Sequence, residues 1–115
     1  MPAHAFPYEE LTAKPSGTIA MRQILSGDTH IGYLLDLHES ELPAGEAPHP
    51  PHRHVHEEML MIREGLLEVT IEGEGARRLG PGSVAYLASN REHGWRNVGK
   101  TKAVYFVLAL GDDKG

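Results

Sequence analysis

Cysteine is absent from this chain of 115 residues, which excludes disulfides, thiolate metal ligands and a cysteine nucleophile. That absence does not fix the compartment, because a disulfide-free protein can live anywhere. Clustered positive charge is missing too: 11 Lys and Arg face 16 Asp and Glu, for a formal net charge of −5. Basic residues adjoin only at Arg77-Arg78, so no nucleic-acid or anionic-membrane partner is expected. No apolar run reaches the roughly 18 residues of a membrane-spanning helix. The start, Met1-Pro2-Ala3-His4, lacks the charged-then-apolar layout of a signal peptide. As written, the chain is expected to be soluble and cytoplasmic; a chain trimmed of a leader would read the same, so an exported origin stays open. Its 115 residues suffice for one core and not for a second.

Histidine, by contrast, is concentrated. Four of the eight histidines fall between His49 and His56; Glu57 and Glu58 follow, and an apolar run then stops at Gly65. On an extended strand residues two apart share a face, so His52 and His54 can aim two imidazoles at one point, and Glu58 keeps their parity. Imidazole with carboxylate is a ligand set for Fe, Mn, Ni, Cu or Zn. Pro43, Pro48, Pro50 and Pro51 forbid helix and central strand just before it, leaving a stiff loop that delivers His52.

Residues 1–17 hold Pro2, Pro7, Pro15 and Gly17 with little periodicity, and read as an extended arm that is ordered only if it docks. A single domain is expected over residues 18–111, with strands over 18–25, 31–38, 58–63, 66–72, 83–87 and 102–110. The runs 58–63 and 66–72 are expected to form a hairpin around Gly65. Further turns are expected at Gly73-Glu74-Gly75, Gly80-Pro81-Gly82, Asn90-Arg91-Glu92 and Asn97-Val98-Gly99-Lys100, and the tail from Gly111 should fray. No helical period lasts beyond about two turns and turn glycines recur at roughly ten-residue spacing, so an antiparallel barrel or sandwich is the natural closure. Inward side chains alternate along each barrel strand, so a metal on the inner wall would meet one small ligand at the mouth. Tyr33, Tyr86, Tyr105 and Phe106 are expected in the core.

The central stretch resembles the first motif of the cupin family, G-x5-H-x-H-x3,4-E-x6-G. His52-Arg53-His54, three residues, Glu58, six residues and Gly65 fit, while six residues instead of five separate Gly45 from His52. The second motif, G-x5-P-x-G-x2-H-x3-N, resembles Gly82 to Asn97, with Ala88 in the proline position and Asn90 in the glycine position. Asparagine is the residue that best replaces glycine at positive φ, so that turn should survive. The resemblance implies a small single-domain cupin, all-β, an antiparallel double-stranded β-helix or jelly-roll barrel. It also implies one divalent metal ion (Fe, Mn, Ni or Zn) held by His52, His54, Glu58 and His93. Cupins include dioxygenases, isomerases, decarboxylases, sugar-binding and storage proteins, so the fold transfers and the reaction does not. Small cupins often pair through a sheet face, which implies a homodimer with Met59 and Met61 at the contact and the arm crossing to the partner.

Glu57 competes with Glu58 for the carboxylate role; parity and the gap to Gly65 favour Glu58 and turn Glu57 the other way, to orient a ligand or meet Arg63. His56 shares the ligands' parity, but a further protein ligand would fill the open position that chemistry needs, so it is placed at the rim. His49, His4, His30 and His38 read as surface. Trp95 either closes the pocket beside the metal or packs in the core, and Asn97 reads as a turn cap. Three imidazoles and a carboxylate leave two cis positions on an octahedral ion, which suits a dioxygenase- or isomerase-type enzyme acting on a small oxygenated molecule. The alternative is a non-catalytic cupin that binds or senses a small molecule. Arg53, Arg63, Arg91 and Arg96 read as surface ion pairs, and no second catalytic group stands out.

Overall fold

A computed structural model describes residues 1–111; the tail expected to fray lies, beyond Gly111, outside the described residues. Among those residues the chain forms β1 (Lys14–Ser16), β2 (Ile19–Asp28), β3 (Leu34–Leu42), β4 (Glu57–Glu64), β5 (Leu67–Ile71), β6 (Gly75–Leu79), β7 (Val84–Leu87), β8 (His93–Asn97) and β9 (Ala103–Leu110). A six-stranded sheet runs in the order β1-β2-β3-β9-β4-β7, and a three-stranded sheet in the order β6-β5-β8. All their pairings are antiparallel. A 3-10 turn at Tyr8–Glu10 is the only helical segment among the described residues, and none of their helices is long and apolar enough to cross a membrane.

Strand period does the sorting. On β4 Leu60 and Ile62 are buried, as are Ala103, Tyr105 and Val107 on β9 and Leu67 and Val69 on β5; each set is spaced two apart and faces the other sheet. Glu58 has the parity of Leu60 and Ile62, so the fold points a carboxylate at its own interior. On β8 the same rule buries His93, Trp95 and Asn97 together. Met59 and Met61 take the outer face of the large sheet.

The bend at Gly65 is not the expected hairpin. β4 pairs with β7 and β9, and β5 with β6 and β8, so the chain crosses there from one sheet to the other. Gly65 has φ 89°, and an added Cβ would lie 2.8 Å from Ala103 Cα, so the corner runs hard against β9 and only glycine fits. The true hairpin comes next, between β5 and β6 across Gly73-Glu74-Gly75, with Ile71 opposite Gly75. Sequence reading left β6 unassigned because its Arg77 and Arg78 sit on an exposed edge strand, where charge blocks further pairing.

The N-terminal stretch lies against its own chain through two contacts. Lys14–Ser16 pairs with Ile19–Met21, and the Tyr8 ring lies under the guanidinium carbons of Arg22 at 4.8 Å and Arg63 at 5.4 Å. Arg22 hydrogen-bonds Glu41 and Arg63 lies 3.4 Å from the buried carboxylate of Glu39. Three of the aromatic assignments fail: Tyr33 is 58% and Tyr86 54% exposed, and Phe106, between inward Tyr105 and Val107, is only half-buried on the outer face of the large sheet. Tyr33 closes the turn before β3, and Tyr86 points outward between inward Ala85 and Leu87.

Candidate metal centre

Backbone hydrogen bonds lay the histidine loop along β8, and the Arg53 side chain ties it to Asn90, Glu72 and Glu92. His52 N–H donates to His93 O and His93 N–H to His52 O, both at 2.9 Å, an isolated antiparallel bridge that lays the loop along β8. Asn90 N–H donates to His54 O at 2.8 Å; Asn90 stands at φ 59°, the positive φ foreseen for it. Gly94 lets the loop approach, since a Cβ there would lie 3.2 Å from Pro51 Cα. Two distant stretches of sequence, 52–58 and 93, are thereby brought to one point.

His52, His54, Glu58 and His93 each place a ligand atom within 4.8 Å of the others. The three imidazoles form a near-equilateral triangle, with ring centroids 4.8, 4.9 and 4.8 Å apart and planes inclined by 73–82°. His54 Nδ1 lies 2.8 Å from the His56 carbonyl and His93 Nδ1 3.0 Å from the Arg91 carbonyl. A carbonyl only accepts, so both Nδ1 atoms carry the proton, and in the neutral rings both Nε2 atoms turn a lone pair inward. Glu58 Oε1 sits 3.0 Å from His54 Nε2 and 3.3 Å from His93 Nε2, and His93 Nε2 is buried without a hydrogen bond. Lone pairs facing lone pairs at these distances are relieved by a positive charge between them, a proton or a metal ion. A metal ion meets that need, and three nitrogens with one carboxylate oxygen fit a divalent first-row ion.

Protonation is set accordingly. Burial alone would push the Glu58 carboxyl up, but the close His93, His54 and His56 imidazoles outweigh it and hold the group at about 2, so it is a carboxylate at neutral pH. His52 is pushed down by burial and by His49, His93 and His54 around it, which favours the neutral, metal-binding form. His93 is the exception: burial lowers it, yet Glu58 and the Arg91 carbonyl raise it overall, so a proton competes with any metal there.

The neighbours separate clearly. Glu57 faces the other way and accepts a hydrogen bond from the Tyr86 hydroxyl, while Arg63 pairs with Glu39 instead. His56 stacks on His54 at 3.7 Å with its ring nearly parallel, and its Nε2 lies 3.6 Å from Glu58 Oε2; it adjoins the cluster without joining it. Trp95 is buried in the core against Tyr105 and lies parallel to His93 at 6.3 Å.

His49 was missed. It stacks on His52 at 3.9 Å, meets Trp95 edge-on at 5.6 Å, and lines a cavity of about 220 Å³ together with Glu58, Trp95, Tyr105 and His38. The proline on each side was the available signal, because a side chain so stiffly held is seldom idle. A larger depression of about 760 Å³, bounded by Pro48 to Pro51, Glu68, Thr70 and Arg96, lies outside the ligand cluster and carries none of its donor atoms.

Known proteins agree with this architecture. KdgF from Halomonas sp. superposes with a TM-score of 0.78 at 21% identity, covering 91% of this chain and 92% of that one. An RmlC-like cupin from Shewanella frigidimarina gives 0.77 at 18% identity, covering 98% and 95%. The polyketide cyclase RemF from Streptomyces resistomycificus gives 0.79 at 17% identity, covering 99% and 83%. At such identities the likeness concerns the fold, here the double-stranded β-helix. Comparison with curated protein sequences finds no match. The family model described as "Cupin domain" matches residues 38–109, a span that holds all four converging side chains, and the chain belongs to that family.

Proposed function

We propose that this protein is a divalent-metal enzyme of dioxygenase or isomerase type, acting on a small oxygenated molecule, with His52, His54, Glu58 and His93 as the metal ligands. The observation that carries the reading is the convergence of two Nε2 lone pairs on one carboxylate oxygen, at 3.0 and 3.3 Å, beside a cavity that Glu58 itself lines. When bound, a divalent ion supplies Lewis acidity and open positions for substrate oxygen. The chain's own contribution is orientation: the His56 and Arg91 carbonyls fix the two rings, and Glu58 stays anionic to offset the ion's charge. Core side chains keep the cavity narrow.

A non-catalytic binding cupin is the second reading, and one observation favours it. Arg53 is committed to Glu72 and Glu92 at 3.3 and 3.5 Å, and Arg63 to Glu39 at 3.4 Å, so neither is a clamp for a substrate anion. Turnover decides between the two. Metal-loaded protein should consume oxygen or convert a small diol or keto compound well above free metal, and His54→Ala should abolish this with the fold intact. Activity unchanged in His54→Ala refutes the metal-centred reading.

A homodimer belongs to the same proposal. The outer face of the large sheet carries Met59, Met61 and Phe106 beside the exposed Val84 and Tyr86, a surface that a second copy would cover. Sedimentation at micromolar concentration should give twice the chain mass of 12.6 kDa; a monomer refutes it.

A further inference from the structure

We infer that His38, held by Asp36, is a catalytic residue that moves a proton on the substrate, and that the substrate is a short α-hydroxy carbonyl compound. The inference rests on the metal reading above for the charge that develops on the carbonyl oxygen.

Placement comes from the strands. Asp36 and His38 lie two apart on β3 and share a face, and His38 borders the cavity that Glu58 also lines. β9 runs between them: Asp36 and Glu58 both stand opposite Ala109, while His38 and Leu60 both stand opposite Val107. His38 is thus two inter-strand steps, ~10 Å, from the strand that carries Glu58. It borders the same space as that carboxylate without belonging to the ligand cluster.

Hydrogen bonding sets the ring. His38 Nδ1 lies 3.7 Å from Asp36 Oδ1, its only ion pair or hydrogen bond among the described residues, and Gln23 Nε2 donates to Asp36 Oδ2 at 3.1 Å. A carboxylate only accepts, so it favours the proton on Nδ1 and leaves Nε2 with a lone pair. That is the form a general base needs.

The lining points to the substrate. His49 borders the same cavity, and its Nδ1 lies 2.9 Å from the Pro50 carbonyl, so its Nε2 keeps a lone pair too. Ser16 adds a hydroxyl, whereas Ser40 and Tyr105 engage each other. Two imidazole acceptors and a hydroxyl complement a ligand with hydroxyl groups of its own. The volume of about 220 Å³ equals roughly seven waters at ~30 Å³ each, which admits about three or four carbons with their oxygens.

The chemistry balances without an oxidant. His38 Nε2 takes the proton from the carbon that bears the hydroxyl; the C–H electron pair becomes a C=C bond, and the carbonyl π pair moves onto its oxygen. The hydroxyl proton passes to that oxygen. His38 then returns a proton to the former carbonyl carbon while the other oxygen's pair re-forms a carbonyl. Hydroxyl and carbonyl have exchanged carbons, an isomerisation.

Dihydroxyacetone and butanone, which lacks hydroxyls, are the probes. Each is titrated by calorimetry into the full chain with and without Mn(II), and dihydroxyacetone recovered from heavy water is assayed for carbon-bound deuterium by mass spectrometry. Dihydroxyacetone should bind about tenfold tighter than butanone and gain deuterium about a hundredfold faster than with free Mn(II). His38→Gln should lower that exchange about a hundredfold and change the affinity for dihydroxyacetone less than about threefold, a split that a merely structural residue would not give. Asp36→Asn, at the positioning residue, should lower exchange about tenfold with affinity unchanged. Failure to bind Mn(II) overturns the metal reading and this inference with it. Mn(II) bound, but exchange no faster than with free Mn(II) or equal in His38→Gln, overturns this inference and leaves the metal reading standing. Equal binding of the two probes overturns the substrate class. Should His38→Gln not fold, Asp36→Asn and the wild-type exchange decide.

Discussion

Asn97 offers the sharpest structural test, because a side chain with no exposure ties the end of β3 to the turn that follows β8. Its Nδ2 donates to Leu42 O and to Thr101 O, each at 2.9 Å, and its Oδ1 accepts from Gly99 N–H at 2.9 Å. Asn97→Ala therefore removes three hydrogen bonds and strands the two carbonyls and the Gly99 N–H. At about 1 kcal/mol for each bond, with a further penalty for the groups left unpaired, the loss is about 3–5 kcal/mol. For a chain of this length 1 kcal/mol moves Tm by about 4 °C, so the midpoint should fall by about 12–20 °C. Asn97→Asp keeps the acceptor for Gly99 but sets a carboxylate against two carbonyls, and should cost as much. Urea unfolding monitored by far-UV circular dichroism measures both. A loss below about 1 kcal/mol in Asn97→Ala would show that these bonds do not hold β8 to its surroundings.

Other consequences concern the site more directly. Gly94→Ala sets a Cβ 3.2 Å from Pro51 Cα and pushes back the loop carrying His52, so metal affinity should fall at least tenfold, by calorimetry, while far-UV circular dichroism stays unchanged; wild-type affinity would contradict the positioning argument. Glu58→Gln should lose bound metal and Glu57→Gln should keep it, since the Glu57 carboxylate is engaged by Tyr86 on the other face; the reverse result would exchange their roles. The Glu41 carboxyl is held below the ordinary carboxylate value, chiefly by its hydrogen bond with Arg22 and then Lys102. A carboxyl depressed on folding adds stability above about pH 4.5 that is lost as pH falls toward its folded value. Chemical denaturation between pH 7 and 3 should therefore show a shallower acid loss in Glu41→Gln than in the wild type, and parallel curves would contradict the assignment.

Much of this was legible in the sequence because it is written locally. Parity and the gap to Gly65 pointed Glu58 inward and Glu57 outward, and the resemblance to the two cupin motifs, over 45–65 and 82–97, marked both halves of the cluster. Asn90 could be read because positive φ tolerates few residues. What could not be read was relational. Gly65 marks a bend equally well in a hairpin and in a sheet-to-sheet corner; the distinction lies in strand pairing across the chain, which no local pattern records. Tyr86 alternates correctly, but whether its face is core or solvent depends on β7 being the edge of the large sheet. His49 looked like loop because its two contacts, His52 and Trp95, reach it from opposite sides of a turn whose path the prolines stiffen without revealing its direction.

The central claim is that four converging side chains hold one divalent ion. Elemental analysis of protein purified without an affinity tag or nickel resin, wild type beside His54→Ala, tests it most directly. Close to one iron, manganese, nickel or zinc ion per chain in the wild type, absent from a folded His54→Ala, is the predicted result; a metal-free wild type, or equal metal in both, would contradict it.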